Sequence, residues 1–232
     1  MFDARSREDY PAVGDWVAIT EVEPGRAVIH RVLPRKTLLK RRYSGRSEAQ
    51  VIAANIDKAF IIESVDRDYN LNRFERYLAV VSDGNIEPVL VLNKIDLISD
   101  EESGSMLSQT RKRFKEIDVI KTSAISSGGL GDVAARILKG KTHCLLGSSG
   151  VGKSSIINRL LERDVIETGE ISHHTGKGKY TTTATEMYFL EINYFFGRKG
   201  LGGSEAYYRI LLDEIERWLQ MNGLISNARH SI

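Results

Sequence analysis

Gly147-Ser148-Ser149-Gly150-Val151-Gly152-Lys153-Ser154 has the glycine-rich turn, lysine and hydroxyl in the spacing that a polyphosphate cradle requires. Glycines let backbone N–H groups turn inward around phosphate oxygens, and a following helix N-terminus adds its positive end. Lys153 is the candidate for charge stabilisation at the β and γ phosphates, and Ser154, with Ser155 beside it, opens the helix and can ligate Mg²⁺. The flanking sequence supplies the strand and helix that this loop needs: apolar His143-Cys144-Leu145-Leu146 before it and SSIINRLL after it.

Two shorter motifs carry base-reading chemistry. Asn93-Lys94-Ile95-Asp96 follows the apolar run PVLVL. A carboxylate at Asp96 can accept hydrogen bonds from the N1–H and exocyclic amine of guanine, a donor pair that adenine lacks. Asn93 can bond the other edge of the base or tie its loop to the phosphate loop, and the Lys94 stem can cover the ring face. Ser123-Ala124 follows DVIKT, and an Ala124 N–H would favour the O6 acceptor of guanine over the amine of adenine. The three motifs together predict a guanine nucleotide site. An ATP-binding kinase-like phosphate-loop protein is the reading that NKID and Ser-Ala disfavour.

The elements that must hold these loops alternate between strand and helix: AFIIESV, LNRFERYLAVV, PVLVLNK, a helical stretch near 103–116, IDVIKTSA, GDVAARIL as helix, KTHCLLG, then GKSSIINRLL. That rhythm predicts an α/β domain on a parallel sheet over 53–196. Upstream, VGDWVAIT and RAVIHRVLP, broken by Glu23-Pro24-Gly25, predict a small β unit over 1–52. From 197 to 232 a glycine-rich link leads into SEAYYRILLDEIERWLQMNG, whose periodicity predicts an amphipathic helix packed through Ile210, Leu211, Ile215 and Leu219.

Composition sets bounds. Of the 232 residues 41% are hydrophobic and 28% charged, which excludes a disordered or collagen-like chain. The single cysteine, Cys144, forbids an internal disulfide and reads as a buried small hydrophobe in a reducing cytoplasm. No apolar run approaches the roughly 18 residues of a membrane span, so no membrane partner is expected. Net charge is only +2, yet Arg31, Arg35, Lys36, Lys40, Arg41, Arg42 and Arg46 stand between positions 31 and 46 without one acidic residue. Arg35, Lys36, Lys40, Arg41 and Arg42 are therefore candidate contacts to RNA phosphates. His173-His174 is a poor metal pair, because neighbours on a strand point to opposite faces, and His30 reads as an ordinary residue of a β segment.

The order of the motifs is unusual, since the base-reading motifs precede the phosphate loop. With VGDWV, NKID, SAIS, GSSGVGKSS and the threonine run 181–183, the sequence resembles the ribosome small-subunit-dependent circularly permuted GTPases, the RsgA/YjeQ family. The resemblance covers roughly 11–190. It implies a circularly permuted phosphate-loop GTPase domain behind an OB-like β unit that is partial here. It also implies GTP/GDP and Mg²⁺ as ligands, with Thr182 joining Ser154 at the metal and serving with Lys153 in catalysis. GTP hydrolysis in maturation of the small (30S) ribosomal subunit, with that subunit and its rRNA as partners of a monomer, follows. Three features depart from the family pattern: Tyr180 stands where a histidine precedes the threonines, no DxxG appears in GRKGLGGSEAYY, and the zinc-domain cysteines are absent, so zinc is not expected. Slow hydrolysis follows, as does the alternative of a turnover-deficient GTP- or rRNA-binding module with a decayed or frame-shifted tail.

Overall fold

The computed structural model describes residues 6–42, 49–66, 69–126, 129–162, 186–191 and 207–212; for 41–42 and most of the last two segments only the backbone course is described. Thr182, Tyr180, His173 and His174 lie outside these residues. Among the described residues four strands make the β unit: β1 (Val17–Glu23), β2 (Arg26–Val32), β3 (Leu38–Arg42) and β4 (Ala49–Ala54). They form two antiparallel pairs, β1 with β2 across the Glu23-Pro24-Gly25 turn and β3 with β4. Because β4 runs through Ala54, the boundary expected after residue 52 falls inside a strand. Asn55, at φ 55°, makes the join: its N–H donates to the Thr37 carbonyl at 3.0 Å, its Nδ2 donates to the Gly14 carbonyl at 2.9 Å, and its Oδ1 accepts from Lys36 N–H at 2.9 Å.

The larger unit comprises β5 (Lys58–Ser64), α1 (Leu71–Asp83), β6 (Glu87–Asn93), α2 (Asp100–Arg113), β7 (Asp118–Lys121), α3 (Gly131–Ala134), β8 (Thr142–Leu146), α4 (Lys153–Leu160), β9 (Glu186–Glu191) and β10 (Tyr207–Leu212). Its sheet has the order β7-β6-β5-β8-β10-β9, parallel throughout except for the antiparallel edge strand β9. The uninterrupted apolar runs of β5, β6 and β8 follow from burial on both faces. Period two sorts them. Ile61, Leu90, Leu92, Cys144 and Leu146 pack with Phe74, Tyr77, Leu78 and Val81 of α1, whereas Phe60, Ile62, Val89, Val91 and Leu145 pack with Leu130, Val133, Ile156, Ile157 and Leu160. Leu39 and Ala53 join the first cluster, so the β unit shares the core of the α/β unit.

Local sequence accounts for the helix boundaries. The Asn70 side chain accepts from Asn72 N–H at the start of α1, and Ser99 with Glu102 forms a reciprocal cap at the start of α2. Only four residues of GDVAARIL are α-helical, where the periodicity had predicted a longer helix. A larger difference concerns Tyr207–Leu212, expected in an amphipathic helix but forming β10 instead. The exposed edge of β8 leaves a row of backbone donors and acceptors, and Tyr-Tyr-Arg-Ile-Leu-Leu, rich in aromatic and branched side chains, pairs with it; β9 then covers the new edge. Among the described residues no helix is long and apolar enough to cross a membrane.

Candidate functional site

All five parallel strands end on one edge, and the loops after β5, β6, β7 and β8 meet there, as ligand-binding loops do in open α/β sheets. The phosphate-loop motif runs from the end of β8 into α4. Gly147 has φ 150°, and a Cβ there would stand 2.3 Å from the Ile62 carbonyl oxygen, so the loop lies directly on β5. Gly152 has φ 97°, a backbone that other residues seldom adopt, and a Cβ there would stand 2.4 Å from Asn93 Nδ2. Lys153 is 4% exposed, with Nζ donating to the carbonyls of Gly147 at 2.7 Å and Ser148 at 2.8 Å. The ammonium is thus drawn back across its own loop, and Ser154 and Ser155 sit half-buried in the first turn of α4.

Asn93 ends β6 at 1% exposure, and its Nδ2 donates to the Val151 carbonyl at 2.7 Å. Of the two roles open to it from sequence, the tie to the phosphate loop is present. Its Oδ1 is buried with no hydrogen-bond partner among the described residues. Lys94 takes the left-handed conformation, φ 64°, and its Nζ pairs with Asp66 Oδ2 at 2.9 Å. Asp96 is exposed at the tip, where its Oδ1 accepts from Ser123 Oγ at 2.5 Å. Ser123 organises the loop after β7: it is 1% exposed, and its Oγ accepts from the backbone N–H of Ile125 at 3.3 Å and Ser126 at 3.2 Å. Ile95 N–H donates to the Thr122 carbonyl at 3.3 Å, joining the loops after β6 and β7.

The basic stripe is less free than its charge implies. The Arg35 guanidinium bonds both Asp15 carboxylate oxygens, at 2.7 and 2.6 Å, and the carbonyls of Glu8 and Tyr10. Its side chain is 12% exposed and that of Asp15 1%, so Arg35 anchors the N-terminal segment. Lys40 pairs with Glu8 at 2.7 Å. Lys36 is exposed, and Arg41 and Arg42 lie on β3 with side chains outside the described residues. A charge run shows no partners distant in sequence, which is why Asp15 and Glu8 escaped the sequence reading.

Asp66 was missed likewise, although it lies two residues beyond β5 on the ligand-binding edge. The first aspartate after Leu190 is Asp213, the residue following β10, in the order Asp213-Glu214-Ile215-Glu216. The first aspartate past Leu190 thus opens an Asp-x-x-Glu and not an Asp-x-x-Gly; these four residues lie outside the described ones.

The NKID and Ser-Ala loops come before the phosphate loop in the chain yet close on it in space, and that order defines a circularly permuted phosphate-loop GTPase fold. A family model described as RsgA GTPase matches residues 32–196, and the chain belongs to that family. It is 41% identical over 200 residues to the small ribosomal subunit biogenesis GTPase RsgA of Opitutus terrae, covering 82% of this chain and 54% of that protein. With small ribosomal subunit biogenesis GTPase RsgA 1 of Bacteroides thetaiotaomicron the identity is 38% over 193 residues, with 82% and 54% covered. The chain spans about half the length of these curated relatives. Among solved structures, YjeQ from Thermotoga maritima superposes with a TM-score of 0.59 at 25% identity, covering 92% of this chain and 64% of that one. YloQ, a circularly permuted GTPase, shares the fold at a TM-score of 0.50, 24% identity and coverage of 78% and 59%.

Proposed function

We propose that this chain binds GTP and GDP, hydrolyses GTP slowly, and serves in the cytoplasm in biogenesis of the small ribosomal subunit. The observation that carries the nucleotide reading is the pair of ties Asn93–Val151 and Asp96–Ser123, which join both base-reading loops to each other's surroundings and to the phosphate loop. Asp96 then accepts from the guanine N1–H and amine, and Ala124 N–H donates to O6. The backbone of 147–152 wraps the phosphates, and Lys153 exchanges its carbonyl partners for phosphate oxygens, a stronger charge-assisted pairing. Ser154 and Thr182 would hold Mg²⁺, which neutralises charge on the β and γ phosphates when bound.

Hydrolysis also needs donors to the γ-phosphate and a placed water. No Asp-x-x-Gly follows Leu190, where the first aspartate opens Asp213-Glu214-Ile215-Glu216, and Tyr180 stands where the family's histidine precedes the threonines. Both changes favour slow turnover, and they equally support a second reading in which the chain binds nucleotide without turnover. The relatives' names direct the partner assignment to the small subunit, and Lys36, Arg41 and Arg42 are the residues of the stripe proposed to meet rRNA phosphates. Phosphate release under multiple turnover, with and without 30S subunits, tests the catalytic part. Slow release that the subunits barely stimulate is expected, Lys153→Ala removing it with nucleotide binding. Strong stimulation by the subunits would contradict the assignment of slow turnover.

A further inference from the structure

The ion pair between Lys94 and Asp66 assigns a job to a residue outside every motif. Asp66 Oδ2 holds Lys94 Nζ at 2.9 Å, and its Oδ1 accepts from Ser64 Oγ at 2.8 Å. Ser64 is 3% exposed and is the register partner of Asn93 across β5 and β6. Val65 N–H donates to the Asn93 carbonyl at 3.0 Å, so the turn that carries Asp66 is pinned to the strand end that carries Lys94. A relay of polar groups thus runs from the sheet to the base-reading loop, and its last member is a lysine in left-handed backbone.

We propose that Asp66 is a positioning residue for the nucleobase, holding the Lys94 side chain so that its apolar stem stands ready against the guanine face. The proposal rests on the guanine nucleotide reading above. A free lysine side chain has many rotamers, and ordering them on binding weakens affinity; a carboxylate that orders them beforehand removes that penalty. The pair suits this purpose, because its side chains are 20% and 23% exposed, buried enough to be ordered and open enough for a ligand to reach the stem. Asp66 acts through Lys94, a residue of the base-reading loop, so its effect falls on the base.

The test uses the purified 232-residue chain, a fluorescent GDP analogue and inorganic tripolyphosphate as competitor. Asp66→Asn is expected to weaken GDP by about 3- to 10-fold, the range of one half-buried ion pair and a few restored rotamers. Tripolyphosphate, which has no base, competes equally well against wild type and variant. Lys94→Ala, which removes the stem as well as its ordering, produces a loss at least as large, and Asp66→Asn added to Lys94→Ala produces no more. Unchanged GDP affinity in Asp66→Asn, an equal loss for tripolyphosphate, or additive losses in the double variant would each overturn the proposal. A wild-type chain that binds no GDP would overturn the nucleotide reading itself, and this proposal with it.

Discussion

Replacing Gly152 by alanine tests whether the base-reading and phosphate-binding loops form one mechanical unit. Two separable penalties arise. Alanine at φ 97° lies outside the comfortable regions and costs about 1–2 kcal/mol whatever surrounds it. The second penalty is steric, because the new Cβ would meet Asn93 Nδ2 at 2.4 Å, and Asn93 is 1% exposed with that same nitrogen donating to Val151. The amide must leave its place, and a buried hydrogen-bonding group left unsatisfied costs about 1–3 kcal/mol. Gly152→Ala should therefore destabilise by about 2–5 kcal/mol in the wild-type background but only about 1–2 kcal/mol in Asn93→Ala, where no amide stands in the way. Urea unfolding of the four proteins reads this as a coupling of about 1–3 kcal/mol, well above the error of independent sites. A cost of Gly152→Ala that is the same in both backgrounds would refute the coupling and leave backbone strain alone.

Arg35→Ala should destabilise by about 3–5 kcal/mol, because it removes the counter-charge of the buried Asp15 carboxylate, whereas Lys40→Ala at the half-exposed Glu8 pair should cost no more than about 1 kcal/mol; unfolding midpoints compare them. Charge neutralisation aimed at rRNA should then be confined to Lys36, Arg41 and Arg42, with weaker salt-dependent RNA binding and unaltered GDP affinity expected. Asp96→Asn should shift preference from guanine to xanthine nucleotides, whose carbonyl at the amine position an amide donor can meet; competition between GDP and XDP measures it. The Arg136 hydrogen bonds outweigh partial burial and hold the Asp118 carboxyl below its ordinary 3.8, so the pair stabilises the fold above that pH and loses its contribution as pH falls through the lowered value. Asp118→Asn should accordingly narrow its stability deficit between pH 6 and pH 3 in denaturant titrations.

Some of this architecture was legible in residue order alone. The runs Ala59–Ile62, Val89–Leu92 and Cys144–Leu146 are apolar on both faces because helices cover both, and no competing pattern obscured them. Tyr207–Leu212 was not legible, since Ile210, Leu211, Ile215 and Leu219 repeat at helical spacing; what decides is the edge of β8, where Arg209 pairs with Thr142, a partner that no local window contains. Within the site, the phosphate loop and Asn93 to Asp96 have fixed spacing and could be read directly. Asp15 on Arg35 and Asp66 on Lys94 depend on chain crossings, and carboxylates are too common in sequence for those two to stand out.

Calorimetric titration with GDP and ADP, on wild type and Lys153→Ala, tests whether the permuted loops build a guanine-specific site. GDP should bind the wild type at least about 100-fold more tightly than ADP, since mismatched buried polar groups cost several kcal/mol, and Lys153→Ala should bind neither. Equal affinity for GDP and ADP, or undiminished binding by Lys153→Ala, would contradict it.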